Sequence, residues 1–162
     1  VKCPDTSLDF FTKSITTVNL LSEVGYRHNE QIIVSAILHH TYTFAKVDIR
    51  AKVKMHFGTG VLDTLDDLDI LMEVFNEGIE RHPHAESIIR GMSKDAQLIK
   101  GAFMLIHIKE SIQQNPSGAR GKIPETIKLF EYLRRADALV KSLHLDMTQR
   151  FLESDTGLTK DR

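Results

Sequence analysis

The stretch Gln31 to Phe57, QIIVSAILHHTYTFAKVDIRAKVKMHF, constrains this chain more than any other. Ile32, Ile33, Val34, Ala36, Ile37 and Leu38 make an apolar segment that runs directly into two adjacent histidines, His39 and His40. Apolar positions three and four apart predict a helix with one side buried. A short polar connector follows, then a second segment in which Ile49, Val53 and Phe57 recur at four-residue steps and Gly58 ends the run. A chain of small helices is thus set to deliver polar, metal-capable groups to the end of a buried helix.

The rest of the sequence has the same period. Leu8 to Val24 reads as helix through Leu8, Phe11, Ile15, Val18 and Leu21, with Gly25 as its stop, because glycine takes positive φ without strain. Asn29 is placed to cap the helix that carries Ile33, Ala36, Ile37 and His40 on one side. After Gly58, Thr59 or Gly60 opens a helix with Val61, Leu65, Leu68 and Met72 inward and Asp63, Asp66, Asp67, Asp69, Glu73 and Glu77 outward. Gly78 to Pro83 is a break, Ala85 to Met92 a short helix, and Ser93 a cap for a helix with Ala96, Ile99, Ala102 or Phe103, Ile106 and Ile108 on a broad apolar face. Asn115 to Gly121 is dense in turn formers and reads as a loop. The last long helix is expected to begin near Pro124 and to turn Ile127, Leu129 or Phe130, Leu133 and Ala136 inward, with Met147 to Leu152 continuing or restarting it. No β alternation of useful length interrupts this pattern, so the expectation is an all-α bundle of about seven to nine helices.

Composition narrows the function classes. At 162 residues the chain is long enough to bury a core of its own. A formal net charge of −1 argues against the broad basic surface that nucleic-acid binding needs. No apolar run approaches the roughly 18 residues of a membrane span, and Val1-Lys2-Cys3-Pro4 does not read as a signal peptide, so no membrane partner and a cytoplasmic location are expected. A single cysteine, Cys3, rules out a disulfide framework and makes a thiolate zinc site unexpected.

The order of the pieces resembles the hydrolase half of the RelA/SpoT family, an HD-type helical domain that removes the 3′-pyrophosphate from the stringent-response alarmones ppGpp and pppGpp. The family runs HPxxVA, then AALLHDTVEDT, then FGxxVxxLVxGVTKL, then IKLADRLHN, then ETLxIYAPLAxRLGI. In this chain the second piece is Ser35-Ala36-Ile37-Leu38-His39-His40-Thr41 and the third runs from Phe57-Gly58-Thr59-Gly60-Val61 to Leu71. The fourth is Leu98-Ile99-Lys100-Gly101-Ala102-Phe103, and the last starts at Glu125-Thr126-Ile127. The likeness covers about residues 14 to 145, so a degenerate HD-type domain is expected over 14–152, with a lead-in and first-helix start over 1–13 and a polar tail over 153–162.

Carried over residue by residue, the resemblance implies a dismantled site. An HD centre arranges histidine nitrogens and carboxylates around a divalent ion, usually manganese, that generates the attacking water. The first histidine ligand falls on Ser14, the HD pair on His39 and His40, and the last aspartate on Phe103. The Glu-Asp pair that handles the water falls on Thr43 and Phe44, neither of which is a base near neutral pH. The Thr-Lys near the nucleotide becomes Asp69-Ile70, beside Asp66 and Asp67, where carboxylates would repel a pyrophosphate. The expectation is therefore no catalytic residue, no cofactor, and a substrate cleft reduced to the neighbourhood of His39, His40 and Asp69.

Two rival readings stay open at this stage. One is an active manganese-dependent pyrophosphohydrolase in which His39 and His40 join His28, His56 or His107 in a rewired site. The other is a sensor that holds a guanosine nucleotide without cleaving it. The leading reading is a non-hydrolysing regulatory module that meets a protein partner or a second copy of itself. Secondary features have plainer explanations. His82-Pro83-His84 reads as an exposed turn, the acidic run as a solvated face, Arg120-Gly121-Lys122 as a weak phosphate candidate, and Lys128, Arg134, Arg135 and Lys141 as a solvated basic side.

Overall fold

A computed structural model describes residues 10–133 and, beyond them, residues 138, 141, 142, 144, 145, 148, 149 and 153. The described residues form no strand; they fold into five α-helices. These are α1 (Phe10–Leu21), α2 (Glu30–Glu77), α3 (Ala85–Gly91), α4 (Lys94–Gln114) and α5 (Pro116–Tyr132), with a π-helical turn over Ser22–Tyr26 and a 3-10 turn over Ile79–Arg81. The all-α expectation holds for these residues, and the count of seven to nine is not reached among them. Leu8, Ala136, Met147, Arg150 to Leu152, Arg134, Arg135 and Cys3 lie outside the described residues, whereas Thr148 and Gln149 are helical.

The helix α2 is long only in its numbering. Its backbone leaves helical geometry at Ala45 (φ −122°, ψ 20°) and at Gly58 (φ 85°, ψ 177°), which divides it into arms 30–44, 46–57 and 59–77. Asn29 starts the first arm, its Oδ1 accepting the Ile32 N–H at 3.1 Å, as the sequence predicts. Gly58 occupies a region that residues with a Cβ rarely enter, so the predicted stop is a sharp reversal. The three arms run up, down and up. Gln31 lies against Thr64, and Tyr42 against Asp66, so the outer arms point the same way. Between them Tyr42, Val53, Val61, Leu62 and Leu65 close a small satellite core.

The acidic positions of the third arm do more than face water. Asp66 accepts from both Tyr42 Oη and Arg50, with Arg50 Nη1 to Asp66 Oδ2 at 2.6 Å. Asp69 Oδ2 pairs with Lys46 Nζ at 3.0 Å, and Asp67 Oδ2 accepts the Ser93 N–H at 2.8 Å. Carboxylates that read as one solvated face instead tie the three arms and the start of α4 together.

The main core surrounds α4. Ala96, Leu98, Ile99, Ala102, Leu105 and Ile108 are buried against Leu21, Ile32, Ala36, Leu68, Leu71, Ile123 and Phe130. Ser93 caps α4 through its Oγ, which accepts the Ala96 N–H at 3.2 Å. The first arm of α2 and α4 are parallel and in register: Gln31 Nε2 donates to Asp95 Oδ2 at 2.8 Å, and the rings of His39 and Phe103 meet at 5.1 Å. That register brings the end of the apolar run to the middle of α4.

Two expectations need correction. Of the apolar stripe predicted for the first helix, Phe11 and Ile15 face outward while Val18 packs on the core and Leu21 is buried; Lys13, Ser14 and Thr17 share the buried side. The reason is that α1 packs on a polar part of α4, where Glu110 provides a counter-charge for Lys13. The Asn115–Gly121 segment is helical, not a loop. Asn115 Oδ1 accepts the Gly118 N–H at 3.0 Å, Pro116 takes the first turn and Ala119 is buried. Residues that form turns are also those that start helices, and Pro124 accordingly sits inside α5, not at its opening.

Candidate functional site

The positions singled out by the sequence converge where α1, the first arm of α2 and α4 meet. His39 is 1% exposed and His40 half-buried, with ring centroids 5.0 Å apart. Phe103 packs on both, 5.1 Å from each ring centroid, tilted against His39 and edge-on to His40. Two adjacent residues on a helix ordinarily diverge. Here the phenyl ring of α4 fills the angle between them. Ser14 is buried on α1 next to Lys13.

Two lysines dominate the electrostatics. Lys100, one turn before Phe103, is buried, with its Nζ 3.2 Å from Met72 Sδ and 4.9 Å from the centroid of the Phe75 ring. Burial lowers its pKa to about 8. Lys13 Nζ lies 3.7 Å from Glu110 Oε2, an ion pair longer than a hydrogen bond, and burial pushes the Glu110 carboxyl up while Lys13 pulls it down. Burial, then His40, then Lys100 hold His39 down at about 3. Burial, then Lys13, then Lys100 hold His40 at about 4. Both imidazoles are therefore neutral at physiological pH.

Neither ring nitrogen of His39 has a hydrogen-bond partner among the described residues, and the same is true of Ser35 Oγ, one turn earlier on the same face. An unpartnered buried imidazole nitrogen is what a metal ligand looks like without its metal. The surroundings do not fit that role. Among the described residues no three His, Cys, Asp or Glu side chains gather as a metal would need. The aspartate position carries Phe103, and Lys100 and Lys13 add positive charge where a divalent cation would need negative. Among the described residues, the donors beside His39 do not fit a manganese centre.

The remaining predicted positions are scattered. Thr43 is exposed, with its Oγ1 donating to the His39 carbonyl at 3.2 Å, and Phe44 is 68% exposed beside the break at Ala45. Asp69 belongs to the ion pair with Lys46. His28 and His56 are exposed, and the His56 ring lies 6.4 Å from Phe57. His82, Pro83 and His84 line an open cleft of about 500 Å³ with Glu86, Ser87 and Tyr132. No described helix is long and apolar enough to cross a membrane.

Against protein-family models, curated proteins and solved structures, the chain finds no match. Its site must be read from its own residues. Sequence reasoning passed over Lys100 and Glu110, although a lysine within the run Leu98-Ile99-Lys100-Gly101-Ala102-Phe103-Met104-Leu105-Ile106 was a visible signal. A charge inside an apolar helix is either snorkelling to the surface or held for a purpose.

Proposed function

We propose that this chain is a degenerate HD-type helical domain, related in design to the alarmone hydrolase half of RelA/SpoT proteins, that no longer hydrolyses and works as a regulatory or protein-interaction module. One observation carries the reading. The equivalents of the HD histidine, the HD aspartate and the distal aspartate, namely His39, His40 and Phe103, touch one another ring to ring, yet their charged neighbours are Lys13 and Lys100. A cation-binding centre has become a packed aromatic one with cationic neighbours.

The water-activating step has no agent in this arrangement. Thr43 is a neutral hydroxyl, Phe44 is a hydrocarbon, and the two imidazoles are enclosed by Phe103. A contact function draws support from Phe44 and Val47, which flank the Ala45 break and stand 68% and 94% exposed. Large apolar side chains displayed at a helix break are a suitable start for an interface with a protein partner or a second copy. The test is ppGpp hydrolysis in added manganese by the wild type and by His39→Ala. The expected outcome is no product above buffer in either. Turnover by the wild type that vanishes in His39→Ala would overturn the proposal and make the chain an enzyme.

A further inference from the structure

Lys100 is a buried ammonium that meets a thioether and the face of a phenyl ring, and no carboxylate pairs with it among the described residues. Sulfur is a weak acceptor, and a ring face offsets only part of the cost of burying a full charge. On the neighbouring helix, the buried Ser35 Oγ and both nitrogens of His39 also lack partners. The parallel register of the two helices, fixed at Gln31–Asp95 and His39–Phe103, brings Ser35 to the level of Ile99 and Lys100. A cation with spare N–H donors, a hydroxyl and an imidazole N–H therefore share one buried level between α2 and α4.

We propose that this level is a site for a small monovalent anion of halide type, chloride being the abundant one. Charge sets the valence. Lys13 and Glu110 offset each other, the two imidazoles are neutral, and Lys100 leaves one positive charge uncompensated. The donor types fit a spherical acceptor, which takes N–H and O–H donors from several directions at once. The inference rests on the reading that the centre does not hold a metal cation, and it adds what the centre holds in its place.

The test is thermal unfolding of wild type and Lys100→Met at constant ionic strength, with chloride or bromide replacing a bulky organic anion, and with phosphate and manganese as separate arms. Methionine keeps the length of the lysine stem and removes the charge, so the variant is expected to fold and to be more stable than wild type without halide. Wild type should gain about 8 °C in Tm at halide a hundredfold above Kd, and Lys100→Met should gain none. Equal gains in both proteins, or none in either, would overturn the anion site and leave the metal-free reading intact. A gain with phosphate alone would overturn the halide assignment. A saturable gain with manganese would overturn both this inference and the reading beneath it.

Discussion

At His39 the imidazole is held in its neutral form by burial first, then by its neighbours His40 and Lys100, and this has a measurable consequence for pH. Its folded pKa of about 3 lies below the ordinary 6.5. Above pH 6.5 both folded and unfolded chains carry it neutral, so its full contribution to stability is present. As pH falls from 6.5 toward 3, the unfolded chain takes up a proton that the folded chain refuses, and stability is lost. The integrated effect, complete only below pH 3, is on the order of 5 kcal/mol if His39 titrates alone, and His40 adds to it over the window from 6.5 to about 4. Urea unfolding at pH 7.0 and pH 4.5 should show the part of this loss that accrues above pH 4.5, roughly 3 kcal/mol from His39. His39→Leu should show a clearly smaller one, with Lys13, Lys100, His40 and Glu110 still in place. An unchanged pH dependence in His39→Leu would mean that His39 is not the group being titrated. Asp66 makes the opposite kind of residue-scale prediction. Its burial raises the carboxyl pKa, but the hydrogen bonds from Arg50 and Tyr42 outweigh that and hold it low. Asp66→Ala leaves the Tyr42 hydroxyl without its carboxylate acceptor, and should cost about 1–3 kcal/mol in chemical denaturation.

Among the elements, α2 is the one whose second reversal rests on a single glycine. At Gly58 an added Cβ would meet open space, so any cost of Gly58→Ala comes from backbone conformation alone. The expected loss is about 1–3 kcal/mol with an unchanged denaturant m-value. Gly121 is the control. It lies in the helical geometry of α5 with nothing near its missing Cβ, so Gly121→Ala should stabilise by roughly 0.5–1 kcal/mol. A loss at Gly121 equal to that at Gly58 would contradict the placement of residues 116–132 in a helix. These elements also show what the sequence made legible. Caps at Asn29 and Ser93, the stop at Gly58 and the broad apolar face of α4 are set by local chemistry and were readable. The facing of α1 was not readable, because its buried stripe of Lys13, Ser14 and Thr17 makes sense only once Glu110, about a hundred residues away, is opposite it. The Asn115–Gly121 segment failed for another reason: its residues serve turns and helix starts equally, and only the burial of Ala119 decides between them.

For the molecule as a whole, α1, α2 and α5 pack on α4, and the end of the apolar run beginning at Ile32 is brought to the centre of that assembly. The sequence singled out His39, His40 and Phe103, and the structure brings their rings together. The lysines that give the place its charge did not, because the proximity of Lys13 to His40 is a product of packing between α1 and α2. That charge is the hinge of the account: a centre with two neutral imidazoles and two cationic neighbours should have no affinity for a divalent ion. The most direct measurement is elemental analysis of protein purified without a histidine tag, dialysed against manganese and then against metal-free buffer. Manganese well below one equivalent, unchanged in His39→Ala, is the predicted result. Near-stoichiometric manganese in the wild type that disappears in His39→Ala would contradict it and restore a metal centre at the end of that helix.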